Sequence, residues 1–305
     1  MTRITNPVFN LCAVAIVILF HSLPGVLQPA KGEPKSKVTA IPDSVIQRYK
    51  LDTTFYKKHL DYNGFSILSS AKVSDDALYE ARFLIQSQLG ERQDILNAMI
   101  KSGCRFMVMA PTEMTTDVPE QRHLKNDKKT NWDTRARGLG GKLSSCGEEN
   151  LLNLKGDRYA QENILIHEFN HAIHQQGLRL VDPTFNDRLK KAYDQAMAKE
   201  LWKGTYVATN PAEYWAEGAQ AYFDCMRPQF GANTREKLAK YDPGLFVLVD
   251  EVYKQSKFRY VRYDRRTPTS ARLGQLIGDE LIGAVDGARA RIDRPAATQS
   301  QVTPR

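Results

Sequence analysis

The chain has 305 residues, 42% of them hydrophobic and 26% charged, and carries a formal net charge of +8. This is enough apolar material for one substantial domain, and the positive excess is scattered, with no nucleic-acid motif of ordered aromatic spacing; a solvated face or an acidic surface partner accounts for it. The four cysteines include no CxxC spacing, which argues against a thiolate metal site, and no internal repeat is present.

Arg3 precedes an apolar run of ten residues at 11–20, which His21, Ser22, Pro24 and Gly25 break. The run is short for a membrane span, which needs about 20 residues, and reads as an export signal over 1–30. A secreted, periplasmic or extracellular location follows, with no stable membrane span after cleavage. Residues 31–60 open on Lys31-Gly32-Glu33-Pro34 and read as a linker or a pro-segment. A strand is predicted at 65–70. Ser74-Asp75-Asp76 is a capping sequence for a helix to about 89, with Gly90 ending it. A second helix covers 93–101 and a second strand 104–109. Residues 111–149 are polar and glycine-bearing, with no strong periodicity. A helix follows Asn163 and ends at Gly177 as its C-cap. Later helices are expected at 184–201, 211–226, 233–241 and 243–254, and a disordered tail at 287–305. In an oxidising compartment Cys104 and Cys146 are candidates for a disulfide, with pairings to Cys225 left open.

The chemistry concentrates in His167-Glu168-Phe169-Asn170-His171, which reads HExxH behind the apolar lead-in Ile164-Leu165-Ile166. Residues four apart share a helix face, so His167 and His171 can offer two imidazoles to one zinc ion, with Glu168 placed to act on water. His174 lies one turn further on and reads as a helix-face histidine. A third ligand must come from elsewhere. Asn210-Pro211-Ala212-Glu213-Tyr214-Trp215-Ala216-Glu217 supplies an N-cap, a proline suited to the first turn, and two glutamates four apart on an apolar helix. Buried carboxylates need partners, and a metal with its histidines would supply them. One glutamate would ligate the ion and the other would hydrogen-bond a ligand histidine.

Together these motifs resemble the gluzincin-type zinc metallopeptidases of the anthrax lethal factor-like group, which includes the Pro-Pro endopeptidases. The resemblance covers residues 150–225. Its pattern, Glu-aromatic-aromatic-Ala-Glu, implies Glu213 as the third zinc ligand and Glu217 as the partner of a ligand histidine. It also implies Tyr206, seven residues before Glu213, as the hydroxyl that stabilises an oxyanion. Where the family often has glycine, this chain has Asn170. The resemblance further implies an α+β, zincin-like domain at 61–286, with a small mixed sheet, the HExxH helix and a mainly helical C-terminal part. In related peptidases an edge strand before the HExxH helix pairs with an extended substrate. Residues 111–149, with Arg137-Gly138-Leu139-Gly140-Gly141, are either that strand or a surface loop.

The function expected is that of an exported zinc-dependent endopeptidase acting on a protein or peptide substrate. The alternatives are a zinc hydrolase acting on a non-peptide amide, cell-wall or glycan-linked, and a non-catalytic zinc-binding protein of the same fold. A monomer is the default, since no long heptad run is present.

Overall fold

In the computed structural model, which describes residues 37–266, the chain enters through α1 (Asp43–Tyr49) and then forms a β-hairpin. The expected signal segment at 1–30 and the tail at 287–305 lie outside the described residues. Asn63 and Gly64 take left-handed backbone (φ 49° and 86°), as a two-residue turn between twisted strands requires. The turn sets β1 (Lys58–Tyr62) antiparallel to β2 (Phe65–Ser69), with Tyr62 opposite Phe65. The part of the expected linker that is described is therefore built into the fold. Thr39 bridges to His59, and Leu51, Tyr56, His59 and Leu60 are buried.

α2 (Asp75–Leu89) begins where Ser74 Oγ accepts from the Ala77 N–H at 3.3 Å. Its Ala77, Leu78, Ala81, Leu84, Ile85 and Leu89 recur at helical spacing, and all are buried. α3 (Gln93–Lys101) then leads to β3 (Arg105–Met109), parallel to β2, so the predicted β-α-α-β order holds with β1 added before it.

The stretch at 111–149 is more ordered than its composition suggests. It holds α4 (Trp132–Arg135), β4 (Gly138–Leu139) and β5 (Leu143–Gly147), followed directly by α5 (Glu148–Leu151). The mixed sheet runs β1-β2-β3-β5-β4, with β5 parallel to β3 and β4 antiparallel to β5 at the edge. β5 shows no apolar alternation because its buried hydroxyls are satisfied internally. Ser144 Oγ donates to Gly141 O at 3.0 Å, and Ser145 Oγ accepts from Leu139 N at 3.2 Å.

The register corrects the disulfide expectation. Cys146 pairs with Val108, and Cys104 lies four residues before Val108, just ahead of β3. At about 3.3 Å per residue the two cysteines are roughly 13 Å apart, well beyond the roughly 7 Å limit for a bridge. Cys104, Cys146 and Cys225 are all free and buried.

α6 (Ile164–Ala172) crosses the sheet and packs Phe169 edge-on against Phe65 and Phe106, at centroid distances of 5.6 and 6.1 Å. Gly177 does not end this helix. The chain continues through a π-helical stretch, Ile173–Leu178, into α7 (Arg179–Val181). A Cβ on Gly177 would lie 2.6 Å from Ile95 Cγ2, so the glycine serves close packing against α3 rather than capping. α8 (Phe185–Ala198), α9 (Pro211–Tyr222), α10 (Arg235–Tyr241) and α11 (Pro243–Tyr253) complete a mainly helical second half, giving an α+β architecture. Among the described residues no helix is long and apolar enough to cross a membrane.

Candidate metal centre

Two asparagines fix the start of α6. Asn163 Oδ1 accepts from Ile166 N at 2.9 Å, and Asn150 Oδ1 accepts from Ile164 N at 2.7 Å, so two helix-end donors are satisfied. With Leu165, Ile166, Phe169 and Ala172 in the core, the rotation of α6 is set, and His167 and His171 face α9. The start of α9 is fixed in the same way. Asn210 Oδ1 accepts from Ala212 N and Glu213 N at 2.9 and 3.0 Å, with Pro211 at the first helical position. Glu213 thus stands in the first turn, facing the two histidines.

Three atoms converge. His167 Nε2 and His171 Nε2 are 3.2 Å apart, and Glu213 Oε2 lies 3.1 Å from the first and 3.3 Å from the second. A tetrahedral zinc ion with bonds of about 2.0–2.1 Å spaces its ligand atoms about 3.3 Å apart. Glu213 Oε2 is buried and makes no hydrogen bond of acceptable angle, so its charge is met only by the two imidazole edges beside it. Two imidazoles and one carboxylate are a donor set that zinc accepts. The residues present therefore fit the ion. Glu168 belongs to the same cluster: ligand-type atoms of His167, Glu168 and His171 lie within 4.8 Å of one another.

The electrostatics follow from packing carboxylates around imidazoles. Burial alone would lower the His167 pKa. The Glu213 carboxylate against its ring and the charges of Glu168 and Glu217 outweigh it and push the group up to about 10. Burial works the other way on Glu213, but its two histidine partners hold it well below the usual carboxylate range. Burial raises Glu168, opposed by the two histidines.

The residue behind His167 is not the one singled out in the sequence. Glu217 Oε1 lies 3.8 Å from His167 Nδ1, too far for a hydrogen bond, and neither of its buried oxygens has a hydrogen-bond partner. Gln220 Oε1 instead sits 3.1 Å from that nitrogen. Gln220 Nε2 donates to Asn163 O at 3.0 Å, which turns the amide oxygen toward the imidazole. Gln220 lies three residues beyond Glu217 and seven beyond Glu213, on the same helix face; that spacing was the available signal.

Tyr206 occupies a single 3₁₀ turn, Tyr206–Ala208, with its ring 6.4 Å from that of His167. It lines a cavity of about 180 Å³ together with His167, Glu168, Arg135, Gly138 and Arg227. Burial raises its pKa, and nearby Arg135 opposes the shift. His174 points elsewhere, with Nε2 2.8 Å from Asn186 Oδ1. The stretch 138–140 lies against α6 because Gly138 and Gly140 face it without side chains. A Cβ at Gly138 would come 2.5 Å from Ile164 Cγ2, and one at Gly140 would come 2.6 Å from His171 Cβ. Asn170 is fully buried behind the site. Its amide donates to Gln88 Oε1 and Ile166 O, at 2.9 and 2.7 Å, and its oxygen accepts from Tyr253 Oη at 2.5 Å.

No family model and no curated protein matches the chain. Among solved structures the chain is similar to the Pro-Pro endopeptidase PPEP-2 from Paenibacillus alvei, at 18% identity and a TM-score of 0.44, covering 62% of this chain and 97% of that one.

Proposed function

We propose that the chain is an exported zinc-dependent endopeptidase. The observation that carries the reading is the triangle of His167 Nε2, His171 Nε2 and Glu213 Oε2, with edges of 3.1–3.3 Å, opening on the cavity that Glu168 and Tyr206 line. His167, His171 and Glu213 would hold the zinc, which when bound would supply Lewis acidity toward water and a carbonyl. Glu168 takes the proton of the attacking water and returns it to the leaving amine; its raised pKa suits a group that must carry a proton between two steps. The Tyr206 hydroxyl donates to the oxyanion that forms on the former carbonyl. Gln220 keeps a proton on His167 Nδ1 and so leaves Nε2 free to bind. The outer edge of β4 offers backbone groups to an extended peptide running past these residues.

The test compares the zinc-loaded chain with Glu168→Gln at matched metal content on a peptide library. The expected result is cleavage by the wild type and a loss of about 10²–10⁴-fold in the variant, with zinc retained. No cleavage by either protein, with one zinc still bound, would remove the peptidase reading.

A further inference from the structure

Three guanidinium groups line the cavity beside the metal-binding face: Arg135, Arg137 and Arg227. Two are already matched. Arg137 is buried and grips Glu149 through two hydrogen bonds of 2.6 and 3.0 Å. Arg227 donates to Glu162 at 2.6 Å and lies between the rings of Tyr159 and Phe230, at 5.9 and 5.7 Å. Arg135 is exposed and pairs with no carboxylate among the described residues. Two carboxylates face the same space. Glu162 is neutralised by Arg227, and Glu168 lies with the metal-binding histidines. The unmatched charge of this cavity outside the metal centre is therefore positive.

The backbone that carries Arg135 is held firmly. Thr116 N and Oγ1 each donate to Asp133 at 2.9 Å, Tyr159 Oη donates to Arg135 O at 2.9 Å, and Arg158 Nη1 donates to Thr134 O at 2.7 Å. The Arg135 guanidinium lies beside the Tyr206 hydroxyl, so little remains to be ordered when a partner arrives, which keeps the entropic cost of binding low. A planar fork of N–H donors carried on this anchored backbone matches a carboxylate.

We infer that this cavity is a carboxylate-recognition subsite in which Arg135 sets specificity, selecting peptides with an acidic side chain or a free C-terminal carboxylate close to the scissile bond. The inference deepens the peptidase reading and rests on it. The full zinc-loaded chain is tested on amidated peptide pools with Glu fixed at each position, on matched Gln and Lys pools, and on the Gln pool with a free C-terminus. Recognition predicts kcat/KM for a carboxylate-bearing pool about tenfold or more above the amidated Gln pool, carried mainly by KM, as one charge-assisted hydrogen bond supports. Preference for the Glu pool identifies a side chain, and preference for the free-terminus pool identifies the chain end. Arg135→Gln should bring the ratio close to one, and Arg135→Glu should favour Lys pools. Equal cleavage of all pools by the wild type, or a preference that survives in Arg135→Gln, overturns the subsite and leaves the peptidase reading standing. Absence of all cleavage overturns the peptidase reading instead. Fluorescence anisotropy of the same labelled pools on Glu168→Gln then decides the subsite, with equal affinity for carboxylate and amide pools overturning it.

Discussion

His167 shows how much one side chain carries at this site, because each of its ring nitrogens has a separate partner. Nε2 faces His171 and Glu213, while Nδ1 meets Gln220. With its pKa raised from 6.5 to about 10, His167 is charged at neutral pH in the metal-free protein. The proton stabilises the metal-free fold fully below pH 6.5, and that contribution is lost as pH rises through about 10. Zinc must displace the proton, so apparent affinity should climb about tenfold per pH unit across this window. Calorimetry in buffers of different ionisation enthalpy should report about one proton released per zinc at pH 7, and none released would contradict the assignment. Gln220→Leu removes the acceptor on Nδ1 and should weaken zinc binding by about 10–100-fold, measured by competition with a chromogenic chelator. The facing of His167 and His171 was legible because helical spacing puts residues i and i+4 on one face. Gln220 was not, since its partner is 53 positions away and an amide is not a ligand type.

Among elements, α6 is the one to which the others are fitted, and Asn170 is where they meet. Through it α6 is tied to Gln88 of α2 and Tyr253 of α11, while its backbone carbonyl accepts from Trp215 Nε1 of α9 at 3.0 Å. Asn170→Ala would leave the Gln88 amide and the Tyr253 hydroxyl buried without these partners. The expected loss is about 2–4 kcal/mol, read from urea unfolding, and a change below about 0.5 kcal/mol would show that the network is not structural. Most helices could be placed from spacing and caps, as with Ser74 before α2 and Asn210 before α9. The sheet was half legible. β2 and β3 announced themselves as apolar runs, whereas β5 hides its burial behind serines that bond internally. β1 is masked at the sequence level: Tyr62-Asn63-Gly64-Phe65 contains a strong hairpin signal, but the polar residues before it read as a linker.

For the molecule as a whole, the question is what fastens the segment after α11 to the body. Arg266 answers it. Its guanidinium meets both oxygens of Glu80 on α2 at 2.7 Å, almost out of contact with water, and lies 4.8 Å above the Phe83 ring. Removing one partner strands the other charge in the interior, so Glu80→Ala should cost about 3–5 kcal/mol in chemical unfolding. A midpoint unchanged from wild type would mean that the segment around Arg266 is held by other contacts. No sequence pattern announces this pair, because its members are 186 positions apart and neither belongs to a motif. Cross-links do not share the task among the described cysteines, which are all unpaired.

The close approach of β4 to α6 bears on how a mutational map of this protein would look. A methyl group at Gly140 would meet His171 Cβ at 2.6 Å and push that proposed ligand aside. A turnover-based screen would then score Gly140 among the most sensitive positions, although it contributes no functional group to the reaction. The active centre drawn from such a screen would be wider than its chemistry, and its extra width would measure how little room the helix has to move.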